Sequence, residues 1–186
     1  NDIVGPAGSG PPDHFMRVDQ NFPYMILFEN KPEATAPAQI VVITQQLDAD
    51  LDWSTFELGD FGFGDTNIDV PEGRNFYQTR VDLRESLGYF VDFTAGIDLE
   101  TGIVSWKFET IDPETGDLVE NALSGFLPPN DASGRGQGFV DYSISPKASL
   151  TTGAIITAQA SIVFDDNAPL LTPVYTNKID TGLPTS

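Results

Sequence analysis

The sequence predicts an all-β fold, an antiparallel β-sandwich of the immunoglobulin-like or jelly-roll-like kind, with about nine or ten strands and little or no helix. Its β-branched and aromatic residues recur in segments that Gly, Pro, Asn and Asp interrupt at short intervals. In the later segments apolar and polar residues alternate, whereas no stretch keeps the helical period over three turns. The chain has 186 residues, 40% of them hydrophobic and 13 of them Phe, which is enough to form a core.

The two ends of the chain are predicted to be linkers. Residues 1–14 include the run from Gly5 to Pro12, whose Gly, Pro and Ser composition disfavours regular structure. A single sandwich module is expected over residues 15–180, and residues 181–186 are expected to form a second linker. Because the sequence begins at Asn1 without a Met, we expect the module to be part of a longer protein.

Apolar segments between the linkers are the predicted strands. They include Phe22–Phe28, Gln39–Thr44, Asn75–Leu83, Gly88–Ile97, Val104–Phe108, Val140–Ile144 and Ile156–Phe164. In the last three, polar residues alternate with apolar ones, as Ser105 and Lys107 do around Trp106, with Val163 as the one exception. Each such strand has one face in the core and one face exposed to solvent. Long loops are expected at residues 29–37, 49–55, 112–138 and 165–172, and loops are where function concentrates.

The charge of the chain excludes several classes of partner. Nine basic residues against 28 acidic ones give a formal net charge of −19, which repels the phosphates of nucleic acids and anionic lipid headgroups. We therefore expect no nucleic-acid partner. We also expect no membrane insertion, because the sequence has no run of about 18 apolar residues. The chain has no Cys, which leaves neither a disulfide framework nor a thiolate metal site.

Calcium is the predicted cofactor. A small exported domain without disulfides needs another source of stability, and Ca²⁺ is abundant enough outside cells for weak sites to be occupied. Bound cations would also offset the repulsion among the acidic side chains. A solvated acidic surface is the other interpretation of this charge.

Four stretches of the sequence carry the closely spaced oxygen donors that Ca²⁺ prefers. They are Asp48, Asp50 and Asp52; Asp60, Asp65, Asn67 and Asp69; Asp112, Glu114 and Asp117; and Asp165, Asp166 and Asn167. The third lacks the register of an EF-hand loop. The fourth is the best candidate because it directly follows a strongly patterned strand, and the loop with Asn130 and Asp131 is expected to approach it. At each stretch the other interpretation is a polar turn whose side chains cap backbone amides.

Catalytic chemistry has little support in the sequence. The single His, His14, lies beside the N-terminal linker, where no second group is placed to orient it. Ser-His-Asp catalysis and a His-ligated metal are therefore excluded, and His14 is expected to be dispensable. The sequence does not exclude a glycosidase that uses carboxylates alone, because acidic residues are too abundant for their spacing to identify a catalytic pair. We predict that the chain is not an enzyme.

One aromatic side chain suggests an alternative function. Trp53 stands beside Asp52 and could stack on a sugar ring, whereas Trp106 alternates with core positions and is expected to be packed. The alternative function is therefore a carbohydrate-binding module attached to a polysaccharide-degrading enzyme.

Several short segments together resemble a known module. They are residues 1–6 (Asn-Asp-Ile-Val-Gly-Pro), 23–30, 34–38, 125–130 and 162–167. The chain resembles an uncharacterised module of large bacterial surface and secreted proteins. Within this resemblance Asp165 and Asn167 match a Phe-Asp-x-Asn element, with Asp166 at its variable position, and Asn130 matches a Pro-Pro-Asn element.

The resemblance implies a β-sandwich stalk or binding unit that occurs beside adhesin-like and calcium-rich repeats. The first hypothesis is accordingly a calcium-stabilised structural or adhesive module, located outside the cell or on its surface. Its expected partners are neighbouring domains of the same chain, and a cell-surface or polymeric glycan is a further candidate.

Overall fold

The computed structural model of the chain describes residues 1–182 and confirms the all-β prediction. These residues form fourteen strands and no helix, and hence no helix able to cross a membrane. The strands are β1 (Asp2–Val4), β2 (Phe15–Met16), β3 (Phe22–Glu29), β4 (Ile40–Gln46), β5 (Leu51–Phe63), β6 (Thr66–Ile68), β7 (Phe76–Leu83), β8 (Tyr89–Asp98), β9 (Ile103–Ile111), β10 (Gln137–Pro146), β11 (Ile155–Ala158), β12 (Ala160–Phe164), β13 (Leu170–Leu171) and β14 (Tyr175–Ile179). The number exceeds the prediction because β1, β2, β6 and β13 are too short to show a period-two pattern.

The strands form three sheets. The five-stranded sheet has the order β1-β3-β10-β5-β6, the six-stranded sheet has the order β13-β12-β4-β9-β8-β7, and the three-stranded sheet has the order β11-β14-β2. Neighbouring strands are antiparallel except β14 and β2, which are parallel. β11 and β12 form one alternating segment in the sequence, but the chain passes from the three-stranded to the six-stranded sheet between them.

Aromatic side chains join the five-stranded and six-stranded sheets. Phe61 of β5 stacks on Phe93 of β8 with ring centroids 3.6 Å apart, and Phe28 of β3 lies 5.3 Å from Phe108 of β9. All four rings are buried, and burying a side chain of this size contributes roughly 1.5–3 kcal/mol. Trp106 is buried as well, as its place in the alternation predicts. The core therefore lies between the inward faces of two sheets, as in a β-sandwich.

The N-terminal segment is part of the fold, so the prediction of a linker at residues 1–14 is wrong. β1 pairs with β3, and its central residue Ile3 is buried. The buried Nδ2 group of Asn177 donates to the carbonyl oxygens of Pro6 and His14, at 3.0 Å each. This amide satisfies backbone groups that a Gly- and Pro-rich segment would otherwise leave to water. Of the C-terminal linker predicted at 181–186, residues 183–186 lie outside the described residues.

An irregular pairing between β5 and β10 shapes the outer face of the five-stranded sheet. The register shifts between Val140 and Tyr142, so that Gly59 and Asp60 of β5 together lie opposite Asp141 of β10. A bulge of this kind adds one residue to one strand and locally bends it. It places a glycine and two carboxyl groups next to each other in the middle of a sheet.

Candidate functional site

A groove lies on the outer face of the five-stranded sheet. It has a volume of about 390 Å³, and β1, β3, β5 and β10 contribute to it. Its lining residues are Val4, Gly5, Pro23, Tyr24, Met25, Gly59, Asp141, Tyr142 and Ser143. The strand register puts Val4 opposite Met25 and Met25 opposite Asp141. One row across three strands therefore brings a carboxyl group beside two apolar side chains.

Two glycines allow side chains to pack closely at the groove. A Cβ atom at Gly59 would lie 2.7 Å from the Cβ of Asp141, which is closer than side-chain carbons approach. A Cβ atom at Gly5 would lie 2.6 Å from the ring of Tyr175 and 2.8 Å from the ring of Tyr24. Glycine at such positions marks a close approach of a neighbouring strand or ligand. Larger residues at either position would have to displace the walls of the groove.

Asp141 is the polar centre of the groove. It is half-buried, and its Oδ1 atom is shielded from solvent and has no hydrogen-bond partner within residues 1–182. Burial, and secondarily the negative charge of Asp60, raise the pKa of the Asp141 carboxyl to about 6. Asp60 itself accepts a hydrogen bond from the backbone N–H of Val70 at 2.8 Å. A carboxylate with this environment favours a proton or another cation as its partner.

The surface around the groove is apolar for a sheet face in contact with solvent. Val4, Met25 and Leu27 are 46%, 37% and 37% exposed. The half-buried Phe139 lies opposite Leu27 on the same face. A sheet face turned to water usually carries polar side chains, so a row of apolar ones is typical of a contact surface.

The loop predicted as the best calcium site connects strands through its side chains. Asp165 has a positive φ of 50°, and its Oδ1 accepts hydrogen bonds from the backbone N–H groups of Gln39 and Ile40, at 2.9 Å each. Asn167 donates from Nδ2 to the carbonyl oxygen of Phe164 at 2.8 Å. The loop thus fastens the start of β4 to the end of β12, which is the backbone-capping interpretation of these residues. Asp166 is exposed.

The loop with Asn130 and Asp131 uses its oxygens in the same way. Asn130 is buried, donates to the Oε1 of Glu29 at 2.5 Å and accepts from the N–H of Gly136 at 3.1 Å. Asp131 accepts from the N–H of Ser133 at 2.9 Å. The hydrogen bonds from Ser133, and the charge of a nearby Arg, lower the pKa of the Asp131 carboxyl.

The remaining predicted ligands are mainly turn residues. Asp48 bridges to Thr157, accepting from its N–H at 2.9 Å, and Asp112 accepts from the N–H of Glu114 at 2.8 Å. Five others lie at partly or fully exposed positions without a shared centre: Asp50, Asp65, Asn67, Asp69 and Asp117. Within residues 1–182, no three His, Cys, Asp or Glu side chains group closely enough to hold a metal ion. Because Ca²⁺ also binds amide and backbone carbonyl oxygens, calcium binding stays a prediction.

Trp53 has a packing role in the fold. Its Nε1 donates to the carbonyl oxygen of Asp48 at 3.0 Å, and the side chain is half-buried against the core. A Cβ atom at Gly102 would lie 2.5 Å from the indole ring, so the tip of the β8–β9 hairpin already covers it. This geometry does not present Trp53 as a sugar-stacking platform.

His14 has ordered neighbours, contrary to its predicted position in a linker. Its ring stacks on Tyr175 with centroids 5.3 Å apart, and Nδ1 lies 2.7 Å from the carbonyl oxygen of Ala7. These contacts fix the N-terminal segment on the three-stranded sheet. They give His14 a structural surrounding and no partner for acid–base chemistry among the contacts described.

Comparison with known proteins assigns the chain to a family. The family described as "Domain of unknown function (DUF7619)" matches residues 1–62 and 97–181, well over half of the chain. The chain belongs to this family. The unmatched part, residues 63–96, contains β6, β7 and most of β8, whereas most of the groove of this DUF7619 domain is formed by matched residues. No curated protein sequence matches the chain.

Two solved structures of bacterial surface proteins are similar to this DUF7619 domain. The N-terminal domain of a Streptococcus gordonii adhesin has a TM-score of 0.50 at 12% identity, over 96% of this chain and 32% of the other. Domains D2 and D3 of the major pilin SpaD from Corynebacterium diphtheriae have a TM-score of 0.51 at 11% identity, over 94% of this chain and 50% of the other. The chain spans only a third to a half of these proteins. At such low identity, the likeness shows the β-sandwich fold.

Asp141 was not predicted as a site residue, although one feature of the sequence pointed to its surroundings. β3 (Phe22–Glu29) is apolar at almost every position, whereas the strands with one wet face alternate. A strand that is apolar on both faces needs a cover on both faces. Because Asp141 stands at a polar position of an alternating strand, its sequence context alone gave no sign of burial.

Proposed function

We propose that the chain is an extracellular module of a larger bacterial surface or secreted protein, with an adhesive or structural role and no enzymatic activity. The observation that carries the proposal is the similarity of fold to an adhesin domain over 96% of the chain. The similar pilin domains favour the same class of protein. The acidic, cysteine-free composition suits a protein that is not stabilised by disulfides and does not bind nucleic acids.

The groove on the five-stranded sheet supports an adhesive role over a purely structural one. Its walls are apolar, and the carboxylate at its centre has an oxygen without a partner among residues 1–182. A bound partner would remove the apolar walls from water and could offset the negative charge of the carboxylate. A module that serves only as a spacer needs contacts with its neighbours at its two ends. The groove lies instead in the middle of a sheet face.

Calcium stabilisation and glycan binding are the finer parts of the hypothesis. The oxygens of Asp165 and Asn130 already satisfy backbone N–H groups, so a calcium ion would have to use their remaining lone pairs or other acidic side chains. Trp53 is covered by Gly102, and its geometry does not favour a carbohydrate-binding module. Neighbouring domains of the same chain are the partners that the proposal requires.

Surface labelling of the producing bacterium tests the proposal. Antibodies raised against the folded module should label intact cells or detect the protein in the medium, and brief protease treatment of intact cells should remove the signal. A cytoplasmic protein probed in parallel should stay protected. Labelling that appears only after permeabilisation would overturn the extracellular assignment. Deletion of the module from the full-length protein should then reduce attachment of the cells if the role is adhesive.

A further inference from the structure

We propose that the groove binds a lysine side chain from a segment of another protein, with the aliphatic stem on Val4 and Met25 and the ammonium group at Asp141. The inference rests on the proposed function, because it assigns a class of partner to an adhesive surface.

The walls of the groove fit an unbranched aliphatic chain. Val4 and Met25 lie side by side across β1 and β3, both more than a third exposed. Gly59 has no side chain, so the side chain of Asp141 packs directly against its backbone at the floor of the groove. Methylene groups laid on this surface would remove apolar area from water, worth about 25 cal/mol for each Å² buried. Lysine combines such a stem with a terminal charge.

The centre of the groove requires a positive charge. The Oδ1 atom of Asp141 is buried without a partner among the described residues, and Asp60 adds a second negative charge nearby. A neutral apolar ligand would desolvate this carboxylate further, and an anion would be repelled. Burial and the charge of Asp60 raise the pKa of Asp141 to about 6, and no positive side chain is among the causes. A bound ammonium group would reverse that shift.

The geometry favours lysine over arginine. Because Oδ1 is shielded from solvent, only one carboxylate oxygen, Oδ2, is left for a ligand to contact. A guanidinium group binds carboxylates best with two parallel hydrogen bonds to both oxygens, whereas an ammonium group is a compact charge that a single oxygen can satisfy. The volume of about 390 Å³ also limits the occupant to one or two side chains.

Charge argues against a second copy of this chain as the partner. Each copy carries 28 acidic residues against nine basic ones, a net charge of −19. Two such surfaces repel each other at moderate salt. A segment of another protein that carries lysine among apolar residues is complementary in both charge and polarity.

The two methionines of the chain provide the measurement. Met25 lines the groove, whereas Met16 is buried in the three-stranded sheet and reports on the fold elsewhere. With ¹³C-methyl methionine, the folded chain is titrated with a blocked seven-residue peptide of alternating valine and threonine with lysine at its centre. We expect the Met25 methyl signal to shift and saturate while the Met16 signal stays in place. Peptides with norleucine or arginine at the centre should bind on the order of tenfold more weakly or worse.

Two variants with the same change of charge complete the test. Asp141→Asn should weaken the lysine peptide on the order of tenfold or more, whereas Asp65→Asn, exposed and outside the groove, should leave binding within about twofold. No Met25 shift at millimolar peptide, equal binding of the norleucine peptide, or an unaffected Asp141→Asn variant would each overturn the inference. So would a Met25 shift on concentrating the chain alone, since it would identify a second copy as the occupant. None of these outcomes changes the result expected from surface labelling, so failure of the inference can be distinguished from failure of the proposed function.

Discussion

Replacing Asp141 by Asn is expected to stabilise the fold at neutral pH, although it removes a charged group from the surface. The pKa of the carboxyl is raised from 3.8 to about 6, mainly by burial. A shift of about two units corresponds to roughly 3 kcal/mol at 1.36 kcal/mol per unit. Because the group is only half-buried, solvent screening reduces this to about 1–2 kcal/mol. For a domain of this size the melting temperature should rise by roughly 2–8 °C.

The dependence on pH distinguishes this cause from others. A carboxyl whose pKa is raised in the folded state contributes stability that is fully present below pH 3.8 and is lost as the pH rises through about 6. The gain from Asp141→Asn should therefore appear at pH 7.5 and vanish near pH 4. Asp60 on β5 is the ionisable group that contributes to the shift, and the outward residues Pro23, Met25 and Leu27 of β3 are uncharged.

Urea unfolding of both proteins at pH 7.5 and pH 4.0 measures the effect. Asp65→Asn removes the same charge from an exposed turn and controls for the general repulsion in a chain of net charge −19. A loss of stability in Asp141→Asn at pH 7.5, or a gain that persists at pH 4.0, would refute the assignment of Asp141 as a poorly solvated carboxylate. A gain matched by Asp65→Asn would attribute it to net charge alone.

Three further predictions concern the Asp165 loop, Trp53 of β5 and calcium. Asp165→Ala should lower the free energy of unfolding by about 1–2 kcal/mol, because two backbone N–H groups lose their acceptor. The control Asp166→Ala should change it by no more than about 0.5 kcal/mol. Equal losses for the two variants in urea denaturation would contradict this prediction. Trp53→Ala should lower the free energy of unfolding by about 2–3 kcal/mol, which is less than for a fully buried Trp because the ring is half-buried. An unchanged melting temperature together with a loss of binding on a glycan array would instead favour the carbohydrate-binding function. If calcium binds only the folded state, about 100 Kd of ion should stabilise by roughly 2.7 kcal/mol, and identical melting temperatures in calcium and in chelator would rule out that stabilisation.

The central strands could be predicted because burial there follows the sequence pattern directly. In β9, Val104, Trp106 and Phe108 are buried and the residues between them are exposed. The N-terminal segment could not be predicted in this way, because its order depends on contacts remote in sequence. The amide of Asn177 that holds the carbonyl oxygen of Pro6 lies 171 positions away, and no local pattern in a Gly- and Pro-rich run reports such a contact.

The loops show a different limit of sequence analysis. Closely spaced Asp and Asn residues have the donors for a calcium site and equally the donors for capping turns. Whether Asp165 caps backbone N–H groups or is left to bind an ion depends on which N–H groups the fold brings near it. The two that it accepts from belong to Gln39 and Ile40, which lie 126 and 125 positions earlier in the sequence. The sequence identified the residues that tie this end of the sandwich together, while the role of their oxygens depends on the fold.

The outer face of β3 carries features that lower stability and suit a bound partner. If that face met only solvent, polar side chains at the positions of Met25 and Leu27 would preserve the inward alternation of β3 and remove exposed apolar surface. A polar partner near Asp141 would likewise satisfy its buried oxygen. Among the described residues the sheet has neither, and Gly59 allows the side chain of Asp141 to pack closely against β5. Each feature alone lowers stability, and all of them lie in one groove, so a partner that covers the apolar row and neutralises the carboxylate would relieve them together.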